Sequence, residues 1–213
     1  EMTYLFNENK LPNKILLSGP KGIGKSTVCY HFLNYIFSKN EDYNYNLSDK
    51  KIDKNNISFK LILNHTHPNF YLIDLIDNSK NIEISQIRKM IEYSNKSSFN
   101  QSPRFVVIDN LEFLNINSVN ALLKIVEEPN SNLFFILINN TGKNILDTLK
   151  SRCINFKINL TFDESISITN KLLNYNLLDS INNDLISYYD TPGYLINLVN
   201  FAEQNKIDLN NYD

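Results

Sequence analysis

The stretch Gly19–Ser26, Gly-Pro-Lys-Gly-Ile-Gly-Lys-Ser, constrains the chain more than any other segment. It lies between an apolar run, Ile15–Leu17, and a helical pattern that starts near Lys25. A glycine-rich turn between a strand and a helix lets backbone N–H groups converge on an oligophosphate. A lysine there reaches the outer phosphates, and a hydroxyl takes a place on a bound Mg²⁺. Gly19, Gly22, Gly24, Lys25, Ser26 and Thr27 are therefore the candidate nucleotide-binding residues, with Ser26 also a candidate Mg²⁺ ligand. Three of the five glycines in the 213 residues fall in this one loop, so a chance turn with a stray lysine is the weaker reading.

Such a loop implies a sheet behind it. Five short apolar runs read as buried parallel strands: Lys14–Ser18, Phe70–Asp74, Phe105–Asp109, Leu133–Ile138 and Ile154–Ile158. Helical faces alternate with them. Val28, Phe32, Leu33 and Ile36 make the first, Ile84, Ile87 and Ile91 the second, and Val119, Leu122, Leu123 and Val126 the third, which Pro129 closes. The alternation predicts an α/β fold, a doubly wound five-stranded parallel sheet whose ligands sit at the carboxyl ends of the strands. From Phe162 onward the strands stop. Ile166, Leu172 and Leu173, then Ile181, Leu185 and Ile186, then Leu195, Leu198, Val199 and Ala202 form three further helical faces. Thr191 can cap the last of these helices, with Pro192 at its first position. The expected division is an α/β domain over 1–160 and a small helical lid domain over 161–213. Asn40–Asn56, rich in Asn, Asp, Lys and Ser, reads as a solvated loop or insertion, and His65 and His67 as part of an irregular turn held by Pro68.

The bulk numbers exclude some classes. With 42 % hydrophobic and 21 % charged residues and no long apolar run, no membrane span is expected. Cys29 and Cys153 have neither zinc-ligand spacing nor a disulfide framework, so zinc is not expected and a reducing cytoplasm is the expected compartment. A net charge of −2 argues against a chain that coats nucleic acid by itself.

The second acidic element is Val106-Val107-Ile108-Asp109, a strand ending in a carboxylate, and Asp109 is a candidate Mg²⁺ ligand. In hydrolases that activate water against a γ-phosphate a further carboxylate commonly follows, but here the next residue is Asn110. An amide cannot accept a proton at neutral pH. Glu112 is either a replacement base or a solvated carboxylate at a helix entry. Asn139 and Asn140, at the end of the fourth strand, either meet a phosphate or water, or cap a turn into Thr141-Gly142. Arg152, in Ser151-Arg152-Cys153, is either a surface charge or a finger that stabilises phosphoryl charge.

Asn120-Ala121-Leu122-Leu123-Lys124, then Glu127-Glu128-Pro129 and Ser151-Arg152-Cys153, together with the loop, Gln86-Ile87-Arg88, His67-Pro68 and Thr191-Pro192-Gly193, resemble the bacterial DNA polymerase III clamp loader. That family is made of AAA+ proteins with a P-loop. Within it, two departures point to the delta-prime type of subunit: Asp109-Asn110 where the motors carry Asp-Glu, and Tyr194 where a sensor Arg follows the Thr-Pro-Gly segment. The resemblance implies nucleotide binding by the loop with little or no hydrolysis. It puts Asn140, ahead of Asn139, at the first sensor position, and makes Arg152 a finger acting in trans on a neighbour's nucleotide. Some relatives carry a four-cysteine zinc module before His67-Pro68, and this chain has no cysteine between Cys29 and Cys153.

The implied cofactor is ATP with Mg²⁺. The implied partners are gamma/tau and delta subunits and, through the assembled complex, the sliding clamp and primed DNA in replication. An ATP-hydrolysing gamma/tau-type motor and a small-molecule P-loop kinase are the alternatives, the second leaving Asn120–Pro129 unexplained. Beginning at Glu1 and ending before a helical collar domain, the chain is expected to lack both its natural start and the segment that holds a loader ring together. By itself it is expected to be monomeric or weakly associating, and light scattering that reports a stable pentamer refutes this.

Overall fold

Alternation along the strands sets the architecture of this computed structural model, which describes residues 1–76, 79–96, 102–128, 132–141 and 147–210. Five strands, β1 (Lys14–Gly19), β2 (Phe70–Ile73), β3 (Arg104–Ile108), β4 (Leu133–Asn140) and β5 (Ile154–Lys157), form one sheet in the order β2-β3-β4-β1-β5. The sheet is parallel, with Phe105 opposite Phe70 on one side and Phe134 on the other. Eight α-helices are found among the described residues: α1 (Met2–Asn7), α2 (Lys25–Phe37), α3 (Ile57–Leu63), α4 (Ile84–Asn95), α5 (Ile116–Glu127), α6 (Asp147–Lys150), α7 (Phe162–Leu173) and α8 (Pro192–Asn205). The chain divides into two compact units, Glu1–Ser18 with Ser26–Phe156, and Gly19–Lys25 with Lys157–Asp213.

In the first unit the sheet is buried on both faces. Successive strand residues point to opposite sides, so Phe105, Val107, Ile136 and Ile138 pack with Phe32 and Leu33 of α2 and Ile62 of α3. Val106, Ile108, Phe135 and Leu137 pack with Ile87 and Met90 of α4 and Leu122 and Val126 of α5. The buried polar residues of the three central strands, Ser18, Arg104 and Asn139, lie at or next to the strand ends. In the second unit Ile166, Leu177, Ile181, Leu195 and Val199 form a separate core.

Several local expectations need correction. Val28 is 43 % exposed, and Cys29 takes the inward place on α2. β5 is an edge strand with Ile154 exposed, not a fully buried one. The middle helical face of the C-terminal part is a 3₁₀ turn, Asn183–Leu185, although Ile181, Leu185 and Ile186 do pack inward. α1, α3 and α6 run for only 6, 7 and 4 residues, too short for a 3.6-residue period to register. Asn40–Asn56 is the largely exposed loop that its composition predicts, anchored at its two ends: the Glu41 carboxylate accepts from the Asn56 side chain at 2.7 Å and the Ile57 amide at 2.9 Å, and Asn56 in turn caps α3. His67 stacks on Phe37 with ring centroids 4.1 Å apart and accepts from the Asn69 amide, as a turn residue does. Pro129 and Gly142 lie outside the described residues.

Phe105, fully buried and stacked on Phe134 at 5.0 Å, sits at the centre of the α2-side layer. Phe105→Ala is expected to destabilise the chain by about 3–5 kcal/mol and Val28→Ala by less than about 0.5 kcal/mol, as read from urea unfolding midpoints.

Candidate nucleotide site

The glycine-rich loop belongs to the second unit. Gly19 ends β1 where a side chain has no room, since a Cβ there would stand 2.6 Å from the Ile158 carbonyl. Gly22 and Gly24 adopt φ of 82° and 96°, the left-handed region that glycine enters without strain. The Lys25 ammonium is buried and donates to the Gly19 and Pro20 carbonyls at 3.0 and 2.8 Å, folding back over its own loop. Thr191 Oγ1 donates to the Lys21 carbonyl at 2.8 Å, and the Gly193 amide donates to the Gly22 carbonyl at 2.9 Å. Thr191 also caps α8, with Pro192 at its start as the sequence predicts. Tyr194, half exposed, follows in the first turn of α8.

The acidic group belongs to the first unit, at the carboxyl ends of the parallel strands. Ser26, on α2, donates from Oγ to Asp109 Oδ2 at 2.5 Å. The other Asp109 oxygen accepts the Asn110 amide at 2.7 Å. Asn110 is left-handed, φ 53°, a conformation that Asn tolerates better than most residues. Its side-chain amide donates to Asp74 Oδ1 at 2.7 Å. Asp74, just past β2, was not singled out from the sequence, yet it completes a row of polar groups with Asp109 and Asn140, one at the end of each adjacent strand. The strand reading Phe70–Asp74, ending in a carboxylate as Phe105–Asp109 does, was the signal that could have found it. Burial first, then the charges of Cys29, Asp109 and Asp74, pushes the Tyr30 phenol up to about 12.

Asn140, the last residue of β4, donates from Nδ2 to Glu112 Oε1 at 2.6 Å. Glu112 lies in a 3₁₀ turn, Leu111–Phe113, so it is a paired carboxylate and not a freely solvated one. Asn139 is buried, with its Oδ1 unpartnered among the described residues. Thr27 is exposed on α2.

Arg152 stands apart from these groups in its bonding. Its Nη2 and Nε reach Glu127 Oε1 at 2.7 and 3.0 Å, and its Nη1 donates to the Thr148 carbonyl at 2.7 Å. Every nitrogen of the guanidinium is thus engaged within the first unit. The remaining motifs also converge: Arg88 of α4 and Asn120 and Lys124 of α5 line one groove of about 830 Å³. Gln86 bonds both Glu83 and the Asp74 backbone, linking the start of α4 to the acidic row.

The sequence profile of the family described as "DNA polymerase III, delta subunit" matches residues 2–161. The chain belongs to this family. DNA polymerase III subunit delta′ of Pseudomonas aeruginosa is 27 % identical over 139 residues, 65 % of this chain and 40 % of that one. DNA polymerase III subunit gamma of Buchnera aphidicola subsp. Schizaphis graminum is 32 % identical over 162 residues, 76 % and 42 % respectively. The chain therefore spans less than half the length of these curated relatives. A DNA polymerase III gamma subunit-related protein from Thermotoga maritima shares the fold, with a TM-score of 0.52 at 19 % identity over 81 % of this chain and 52 % of that one. The fold is that of the P-loop AAA+ proteins. Among the described residues no helix is long and apolar enough to cross a membrane.

Cys153, beside Arg152, has its thiol pushed up to about 11 by burial, against a smaller opposing pull from Lys14. Burial drives the fully enclosed Cys29 thiol higher still. Because the thiolate is the nucleophile, iodoacetamide labelling of Cys153 is expected to be slow at neutral pH. It should rise about tenfold per pH unit up to pH 10, with Cys29 unlabelled by mass spectrometry until the chain unfolds.

Proposed function

We propose that this chain is a delta-prime-type subunit of a DNA polymerase III clamp loader, one that seats ATP with little or no hydrolysis and supplies Arg152 in trans. Its partners are gamma/tau and delta subunits, and through them it aids placement of the sliding clamp on primed DNA in replication. The observation that carries the reading is Asn110. At the place of the usual base stands an amide whose N–H₂ is committed to Asp74 at 2.7 Å, a donor where catalysis needs a proton acceptor.

Retention of nucleotide is supported by the loop. Gly19, Gly22, Gly24, Lys25, Ser26 and Thr27 are all present, and the Ser26 hydroxyl and Asp109 carboxylate lie 2.5 Å apart, a hard-oxygen pair of the kind Mg²⁺ takes. Mg²⁺ with ATP would draw on Ser26 and Asp109, and Asn140 offers a side-chain amide on the neighbouring strand end as a further candidate contact. Bound Mg²⁺ supplies charge neutralisation of the phosphates. Arg152 is suited to a neighbour's phosphates because a planar guanidinium forms paired hydrogen bonds with phosphate oxygens and stays charged at any physiological pH.

A hydrolysing gamma-type motor is the second reading, and the Asn140–Glu112 contact at 2.6 Å favours it by placing a carboxylate beside the sensor amide. Steady-state ATPase of the chain separates the two: turnover that disappears in Glu112→Gln supports the motor, and background turnover supports the delta-prime reading. In the reconstituted loader, Arg152→Ala is expected to lower ATPase by roughly three orders of magnitude or more, as loss of a finger does elsewhere, with subunit assembly unchanged by gel filtration. Unaltered ATPase in that complex sinks the trans role.

A further inference from the structure

The Thr191-Pro192-Gly193 turn is followed by Tyr194, which brings no cation to a phosphate. It is nevertheless in closer contact with the phosphate loop than a helix start needs to be. Thr191 Oγ1 is used twice, accepting the Tyr194 amide at 3.3 Å as the cap of α8 and donating to the Lys21 carbonyl at 2.8 Å. The next carbonyl of the loop, Gly22, accepts the Gly193 amide at 2.9 Å. The approach leaves no space on either side. A Cβ on Gly193 would stand 2.7 Å from Gly22 Cα and 2.9 Å from its oxygen, and a Cβ on Gly22 would stand 2.6 Å from Thr191 Oγ1. All these groups lie in the second unit.

We infer that Thr191 and Gly193 are positioning residues for the phosphate loop, which set the direction of its backbone amides and hence its capacity for an oligophosphate. The inference rests on the reading of the loop as a nucleotide seat. In a trans peptide unit the C=O and N–H point in opposite directions. Anchoring the Lys21 and Gly22 carbonyls on the start of α8 therefore turns the Gly22 and Ile23 amides to the other side of the chain, where the Ile23 amide makes a long bond of 3.4 Å to the Pro20 carbonyl that a phosphate oxygen would have to replace. Convergent amides are what a phosphate requires of this loop, and a loop that already holds them so loses less conformational entropy on binding. Gly22, at φ 82°, pairs with a contact that only glycine permits at both partners, so the loop and the turn are matched to each other.

The test uses the 213-residue chain with Gly193→Ala, Thr191→Val and Thr191→Ser. Amide hydrogen exchange of the peptide covering Lys21–Gly24, without ligand, reads the buttress itself. Exchange is expected to quicken in Gly193→Ala and Thr191→Val and to return to the wild-type rate in Thr191→Ser, which keeps the hydroxyl. Calorimetric titration with MgADP reads the consequence. Affinity is expected to fall about tenfold in the first two variants, the scale of one lost hydrogen bond and its geometry, and to recover in Thr191→Ser. Exchange at peptides of α7 serves as the control for a turn that merely holds α8 together, since general loosening of the helical core would quicken those too. Unchanged exchange of the loop in both Gly193→Ala and Thr191→Val overturns the inference, as does equal quickening of loop and α7. Wild-type chain that fails to bind MgADP overturns the nucleotide reading instead, and the exchange data still decide the buttress.

Discussion

A parallel sheet buried on both faces is the constraint on which the first unit depends. Phe105 and Val107 face one helical layer while Val106 and Ile108 face the other, so β3 holds a polar side chain only at its start, where buried Arg104 donates to the Tyr93 and Ser94 carbonyls. Charge and hydrogen-bonding capacity are displaced to the strand ends, where Asp74, Asp109 and Asn140 stand in a row on three neighbouring strands. The chemistry available to the molecule is thus a by-product of how it excludes water. A different choice of side chain at those three ends would alter the polar groups on offer without touching the core.

Asn110 illustrates this. Its backbone is left-handed, its amide N–H closes on Asp109, and its side chain spans to Asp74. Each of these contacts is structural, and together they tie two strand ends with neutral and anionic groups that satisfy one another. A carboxylate in its place would face Asp74 as a like charge, a repulsive arrangement unless a cation intervened. The amide therefore suits a site that holds its acidic row together without a catalytic base.

Much of this was legible in the sequence, for identifiable reasons. The loop announced itself because glycine, lysine and serine at fixed offsets have few other uses, and all five strands were visible as short apolar runs, the fifth being an exposed edge and not a buried strand. The Thr191 cap and Pro192 start followed from local rules that tertiary contacts did not override. What escaped notice depended on distant pairing or on short elements. Glu41, reaching 16 residues forward to the Ile57 amide, anchors a stretch that is as solvent-exposed as its composition reads. Asp74 is one carboxylate among many until its strand is set beside β3. Val28 was assigned inward because a helical wheel cannot tell it from Cys29 without knowing which way α2 faces. The Thr191–Lys21 bond joins residues 170 positions apart, beyond any periodicity.

The Arg152–Glu127 pair changes what an approaching anion encounters. With its guanidinium against a carboxylate at 2.7 Å and a backbone carbonyl behind it, the arginine is already satisfied and nearly neutral as seen from a distance. It exerts little long-range pull, and the exchange of one anionic partner for another has to take place at contact range. A phosphate group, with more negative charge and more acceptor oxygens than a carboxylate, holds the advantage in that exchange only when docking brings it within reach. Glu127 and the Thr148 carbonyl together fix the direction of the guanidinium. Because both side chains of the pair are half exposed, its hold on the guanidinium weakens as ionic strength rises.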